Sequence, residues 1–168
     1  MVVERLSIDG IPAMRALRRR ALASDRPAFG VTAEDDMALE PEVTRSPEDP
    51  SRAAIFVALA SGAPIGMVGL LRQAREKIKH RAVVWGMFVE PADRGRGLAP
   101  RLLDAGVRHA RTWDGVLQVH LSVTSASPAA RRVYERAGFV VWGREPRALA
   151  RGGELVDEHH LVLPLGGS

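Results

Sequence analysis

Residues 81–97 place the tightest limit on what this chain can become. The run Ala82-Val83-Val84-Trp85-Gly86-Met87-Phe88-Val89 carries no charge, stops at Glu90-Pro91, and gives way to Arg94-Gly95-Arg96-Gly97. An apolar run without polar alternation reads as a strand covered on both faces, so 81–89 is expected near the centre of a sheet. Residues 98–111 follow as an amphipathic helix, with Leu98, Leu102, Leu103, Ala105, Gly106 and Ala110 available for burial. A buried strand, a two-glycine loop and a helix start, in that order, gather free backbone N–H groups and a partial positive charge that suit a phosphate. Gly95 and Gly97 allow close approach of the backbone to a ligand, and Arg94 and Arg96 add charge. Glycines also make plain strand-to-helix turns, so the loop alone does not decide its own function. No Gly-x4-Gly-Lys-Ser/Thr occurs, and no Gly-x-Gly-x-x-Gly follows a first strand, which argues against a Walker-type nucleotide loop and a dinucleotide fold.

The rest of the chain reads as elements of one domain spanning residues 1–168. Strands are expected at 2–8, 53–60, 65–71, 117–123, 139–143 and 155–163, in addition to 81–89. Asp9 is placed to cap a helix running to Ser24, with Pro12 in its first turn. A second helix is expected at 127–137, ended by Gly138. Residues 61–64 form a turn, and a long Arg- and Gly-containing turn joins the last two strands. The stretch 25–52 is proline-rich and acidic, with one short helix expected to start at Thr32; it reads as a solvated segment or a loop shaping a cation-attracting mouth. Strands and helices alternate in the middle and cluster at the ends, so the class is mixed α/β with a mixed sheet, about seven strands and about four helices.

Composition narrows the function classes. The chain has 168 residues, 46% hydrophobic and 26% charged, and no cysteine. That excludes a disulfide framework, a thiolate zinc site and a cysteine nucleophile, and fits a reducing compartment. No apolar run approaches about 20 residues, so no membrane partner is expected. The opening Met-Val-Val-Glu-Arg-Leu lacks the layout of a secretory leader, which makes a cytoplasmic location the expectation. The formal net charge of +4 favours anionic partners. The tightest basic cluster, Arg15, Arg18, Arg19 and Arg20, lies in a helical pattern and reads as a solvated face. With few aromatics interleaved, nucleic acid is not an expected partner.

Two segments together carry a resemblance. Residues 89–103 resemble the signature motif of the GNAT superfamily of acyl-CoA-dependent N-acetyltransferases, Arg/Gln-x-x-Gly-x-Gly/Ala, matched by Arg94, Gly97 and Ala99. Residues 121–139 resemble its second motif, with Ser127, Ala130, Val133, Tyr134, Gly138 and Phe139 in the places of Asn, Ala, an aliphatic, Tyr, Gly and Phe. The resemblance implies a mostly antiparallel sheet whose two central parallel strands, 81–89 and 117–123, splay apart. It implies acetyl-CoA as co-substrate, with the pantetheine arm against Met87, Phe88 and Val89, and the pyrophosphate on the amides of Arg94, Gly95, Arg96, Gly97, Leu98 and Ala99. Ser127 and Ala130 would lie along the cofactor, and Tyr134 would act as general acid to the leaving thiolate. The implied partner is a small-molecule or peptide amine. Many members pair as dimers, and no feature of this sequence decides whether this chain does. Two departures stand out: Ser127 replaces an Asn, and Pro100 removes an N–H where many members keep one.

The proton taken from the amine needs an acceptor. Many members use a Glu on the strand before the phosphate loop, but Val83, Val84, Trp85, Gly86 and Met87 include no acid. The candidates are Glu158, His120, and ordered water with no dedicated base; His80 and the neighbours Asp157, His159 and His160 are further possibilities. Adjacent residues of the run 157–160 point to opposite faces of a strand, so no metal site is expected there. A binding module that holds acyl-CoA with little turnover is the alternative to an active enzyme.

Overall fold

The computed structural model describes residues 1–24 and 49–166. In chain order the elements are β1 (Val2–Arg5), α1 (Ile11–Ser24), β2 (Ala53–Ala60), β3 (Ala63–Arg72), β4 (Arg81–Val89), α2 (Leu98–Ala110), β5 (Gln118–Thr124), α3 (Pro128–Arg136), β6 (Val140–Arg151) and β7 (Glu154–Pro164). The seven strands form one sheet in the order β1-β2-β3-β4-β5-β7-β6. Every neighbouring pair is antiparallel except β4 with β5. The expected central place of the apolar strand holds: β4 is fourth of seven. Three α-helices occur among the described residues, and the one expected to start at Thr32 lies outside them. Among the described residues no helix is long and apolar enough to cross a membrane.

Alternation along the strands divides the core in two. Ala54, Phe56 and Ala58 of β2 face one side with Val68 and Leu70 of β3, while Ile55 and Val57 face the other with Met67. The larger cluster lies against α2 and α3 and includes Leu98, Leu102, Leu103, Val107 and Ala110, one stripe of α2 at helical spacing. Burying each of these leucines stabilises the fold by roughly 1.5–3 kcal/mol. The smaller cluster joins Met14, Leu17 and Ala21 of α1 to Ile55, Val57, Met67 and Phe88, and reaches no strand beyond β4. Among the described residues, the far end of that face, on β5, β7 and β6, carries His120, Ser122, Glu158, His160 and Val162.

Three expectations are corrected. Asp9 lies within a 3-10 turn, Ile8–Gly10, and α1 begins only at Ile11. Arg18 is not on a solvated face: it is 5% exposed, with its guanidinium 5.2 Å from the Trp85 ring centroid. The last two strands are joined by a tight turn at Gly152 and Gly153, not a long one, because β6 continues to Arg151 through a bulge between Glu145 and Leu149. Asp157 holds that bulge: its Oδ1 accepts the Arg147 N–H at 2.9 Å, where Arg147 sits at φ 55°, and its Oδ2 pairs with Arg144.

A second bulge, in β4, shapes everything downstream. Met67 pairs with Phe88 but Gly69 pairs with Trp85, so Gly86 and Met87 together oppose Val68. Gly86 adopts φ +63°, and a Cβ there would stand 2.9 Å from an Arg18 guanidinium nitrogen. The extra residue resets the alternation: Phe88 packs beside α1 with Met67, while Met87 and Val89 pack toward α2. Gly86→Ala should therefore cost about 2–3 kcal/mol, combining left-handed strain with the clash on Arg18. Gly62→Ala, at φ +79° with open space around the added methyl, should cost only about 1 kcal/mol. Equal urea midpoints for the two variants would show that Arg18 gives way.

Candidate active site

β4 and β5 run together for only three rungs, Arg81 with Gln118, Ala82 with Val119 and Val83 with His120. Beyond these, β4 stays with β3 as far as Val89 and β5 stays with β7 as far as Thr124. The two strands thus part into a wedge with Val83 and His120 at its closed end. Its walls are two backbone edges with no sheet partner among the described residues, and such polar groups need a partner. The Glu90 N–H donates to the Ile65 carbonyl at 2.8 Å. By antiparallel alternation, the N–H and C=O of Phe88 then turn to β3, and those of Met87 and Val89 turn into the wedge.

The glycine loop lies at the open end of β4, where a 3-10 turn, Pro91–Asp93, leads into it. Gly95 and Gly97 have φ of +78° and +72°, and a Cβ at either would meet nothing within 4 Å. Gly97 is the N-cap of α2 and Pro100 lies in its first turn. The first helical amides of Gly97, Leu98 and Ala99 have no carbonyl one turn back to bond, while Arg101 already donates to the Gly97 carbonyl at 3.4 Å. Three neighbouring donors at a helix start make an anion cradle. Arg94 serves the loop's shape, its Nε donating to the Val89 carbonyl at 3.0 Å with the guanidinium 5.8 Å from the Phe88 ring centroid. Arg96 pairs with Asp93 at 2.9 Å and is half exposed.

Across the wedge, α3 follows directly from β5. Ser127 is its N-cap residue, but the hydroxyl makes no capping hydrogen bond, and Pro128 supplies the first turn instead. The Thr124 Oγ1 accepts the Ala126 N–H at 3.3 Å, and the Ser125 N–H donates to the Asp157 carbonyl at 2.8 Å, tying the helix entry to β7. Ala130 packs against the larger cluster, and Tyr134 is buried in it, its ring edge-on to Phe139 at 6.1 Å. Burial pushes the Tyr134 hydroxyl up to about 12, so it stays a proton donor throughout the physiological range.

The two proposed bases occupy different depths. His120 sits at the closed end of the wedge, and Glu158 is opposite Thr124. Four residues of strand put them roughly 13 Å apart, so they cannot share one task. Burial, then Arg81 and His80, lower the proton affinity of His120, whose Nε2 is buried with no hydrogen-bond partner among the described residues. Burial raises that of Glu158, Glu145 adds to the rise, and His160 opposes it. Of the run 157–160, Glu158 and His160 do share a face, and Glu145 of β6 joins them: one donor atom of each lies within 4.8 Å of the other two. Asp157 is engaged elsewhere, its carboxyl held below the usual range by the Arg147 N–H and by Arg144. The sequence reading missed Glu145, Ser122 and the pairing of Glu158 with His160; the spacing of two along a strand was the available signal for the last.

Comparison with known proteins adds a family and a fold. A family model described as the acetyltransferase (GNAT) family matches residues 14–139. A mycothiol acetyltransferase from Thermobispora bispora is 34% identical over 131 residues, which are 76% of this chain but only 42% of that protein. The chain thus spans less than half the length of this relative. YncA of Salmonella typhimurium, solved with its cofactor acetyl-CoA, superposes with a TM-score of 0.84 at 19% identity, over 100% of this chain and 95% of that one. A phosphinothricin acetyltransferase from Sinorhizobium meliloti in complex with acetyl-CoA gives a TM-score of 0.80 at 20% identity, over 98% and 88%. Both share the fold.

Tyr134 is the chain's one tyrosine, so phenolate absorbance reports it alone. The native protein should titrate near pH 12 and the urea-unfolded chain near its ordinary value of about 10. The raised proton affinity means the associated stability is fully present below about pH 10. Roughly 2–3 kcal/mol is then lost as the pH climbs through 12, visible as a falling urea midpoint. A native midpoint near 10 would mean that the hydroxyl is not buried.

Proposed function

The chain belongs to the acetyltransferase (GNAT) family, and on that premise we propose that it transfers an acetyl group from acetyl-CoA to an amine by direct attack on the thioester, releasing CoA. The observation that carries this reading is the wedge between β4 and β5, opening toward the helix-start amides of Gly97, Leu98 and Ala99. An extended pantetheine arm has the length and the amide groups to satisfy the bare edge at Met87 and the Val89 N–H, the Val89 carbonyl being already held by Arg94, while its pyrophosphate takes the cradle. Phe88 fixes that edge by packing its ring beside α1. Arg94 and Arg96 supply cationic surroundings, and the missing N–H of Pro100 leaves three donors rather than four. Ser127 and Ala130 line the start of α3 beside the arm.

The chemistry needs a donor on one side of the thioester and an acceptor on the other. Tyr134 comes from the α3 face as general acid: its O–H protonates the sulfur as the C–S bond breaks and the tetrahedral intermediate collapses. Glu158 comes from the opposite face, where its raised proton affinity suits a carboxylate that must take a proton near neutral pH. His120, neutral and at the closed end, fits acceptor positioning better than proton removal. The acceptor is a small-molecule or peptide amine, and phosphinothricin is a reasonable first probe, given the neighbour that acts on it. The protein is expected to work in the cytoplasm without a metal.

One observation favours a second reading, a module that binds acyl-CoA with little turnover. No acid stands on β4 between Val83 and Met87, and the Ser127 hydroxyl makes no cap. The two readings separate in one experiment. Acetyl-CoA at 100 times its Kd should stabilise the protein by about 2.7 kcal/mol, a rise of roughly 5–10 °C in Tm. Gly97→Glu, which puts a carboxylate where phosphate would lie, should abolish that rise. CoA release can be followed with a thiol reagent without background, since the chain has no cysteine. Tyr134→Phe should keep the Tm rise and lose about 10²-fold in kcat. A Tm rise without CoA release from any primary amine supports the binding module; no rise with any acyl-CoA removes both readings.

A further inference from the structure

Among the described residues, His160 links β5 and β6 on the face of β5, β7 and β6 turned away from α3. Its register partners are Ser122 on β5 and Gly143 on β6, and two residues before it on β7 is Glu158, paired with Glu145. Ser122 Oγ lies 2.8 Å from His160 Nδ1, and Glu145 Oε2 lies 3.2 Å from His160 Nε2. Both ring nitrogens are therefore engaged, one by a hydroxyl and one by a carboxylate, which fixes the plane of the ring. Trp142 closes one side, with its ring centroid 5.5 Å from that of His160. The Glu158 carboxylate comes within 4.8 Å of this pair, and Glu145 is exposed, so the chain of groups runs from the half-buried Glu158 out to water.

We propose that His160, clamped between Ser122 and Glu145, is a positioning residue whose fixed place beside Glu158 keeps that carboxylate ready to take the acceptor's proton. The inference rests on the reading of Glu158 as the base. An amine arrives as an ammonium and loses two protons as the C–N bond forms and the C–S bond breaks. One proton ends on the CoA sulfur by way of Tyr134. The other is taken by the half-buried Glu158 and leaves to solvent beside the exposed Glu145 before the next turnover. His160 carries no proton in this scheme: its two nitrogens are engaged by Ser122 and Glu145, which makes the ring a fixed neighbour of Glu158. The other groups facing this site among the described residues do not compete. Thr124 and Ser122 on β5 do not titrate in the working range, His120 is four residues along, and Arg144 on β6 is occupied by Asp157.

The opposed influences of the two neighbours on Glu158 make a test that a merely structural role would not pass. The full chain and the variants His160→Gln, Glu145→Gln and Glu158→Gln are assayed with acetyl-CoA and phosphinothricin, or the primary amine that turns over best, for kcat and kcat/KM across pH 5–9. His160→Gln removes the neighbour that holds the proton affinity of Glu158 down, so the acid limb of kcat/KM should move to higher pH, with kcat at pH 7 falling about tenfold or more. Glu145→Gln, an exposed substitution with little risk to folding, removes an anion, so the acid limb should move to lower pH. The Tm rise with acetyl-CoA should persist in both. Limbs that stay put, or move together, would overturn the positioning role while leaving acetyl transfer intact. So would a Glu158→Gln variant with parental kcat/KM. Failure of the unmutated protein to be stabilised by any acyl-CoA would remove the acetyltransferase reading itself, and the positioning role with it.

Discussion

The fold turns on a pairing that is broken off. β4 and β5 share only the rungs from Arg81 to Val83, and then each goes on with its outer neighbour alone. Two central strands with bare edges facing each other inside a domain leave backbone donors and acceptors unmatched, which proteins ordinarily avoid. The neighbours keep that opening in place. β3 pairs β4 to Val89, β7 pairs β5 to Thr124, and α2 and α3 pack on one side through Leu98, Leu102, Tyr134 and Phe139. Under the proposed acetyl transfer, that gap takes an extended, amide-bearing ligand. The helix start at Gly97 lies beyond the end of the same strand, as a phosphate-ended arm would require.

Polarity is arranged by face. On the α3 side lies a phenol, Tyr134, whose burial keeps its proton in place. On the far side, where the α1 cluster does not extend, lie Glu158, Glu145 and His160, with one donor atom of each within 4.8 Å of the other two. In the acetyl transfer proposed above, an acid and a base on opposite sides of the sheet would not neutralise each other, and proton transfer would run through the substrate. Asp157, spent on Arg144 and the Arg147 amide, holds the β6 bulge that brings Glu145 over Glu158. Asp157 thus sets the geometry of the Glu145–Glu158 pair.

The legibility of this chain in sequence followed the range of the interactions. β2 and β4 fell at their observed limits because an uncharged run flanked by turn residues is a local signal. α2 was legible from its apolar stripe, and the cradle from Gly95, Gly97 and the helix that follows. The bulge at Gly86 was not, since a glycine inside an apolar strand looks the same whether or not Val68 faces two residues across the sheet. Arg18 was misread as solvated because helical spacing alone cannot tell that Trp85 waits on the neighbouring strand. The clustering of Ser122, Glu145, Glu158 and His160 spans three strands, and the register that joins them depends on two bulges.

What the sequence by itself determined was therefore the local grammar: which stretches are strand or helix, where the two-glycine turn ahead of α2 must lie, and where the single tyrosine falls. Those features are set by short-range propensity, periodicity and glycine stereochemistry, all contained within a dozen residues. Only the tertiary structure decided how far β4 and β5 stay together, which way Phe88 faces, and which carboxylates meet His160. Each of these is a matter of strand register, and register is fixed by contacts between residues that lie far apart along the chain.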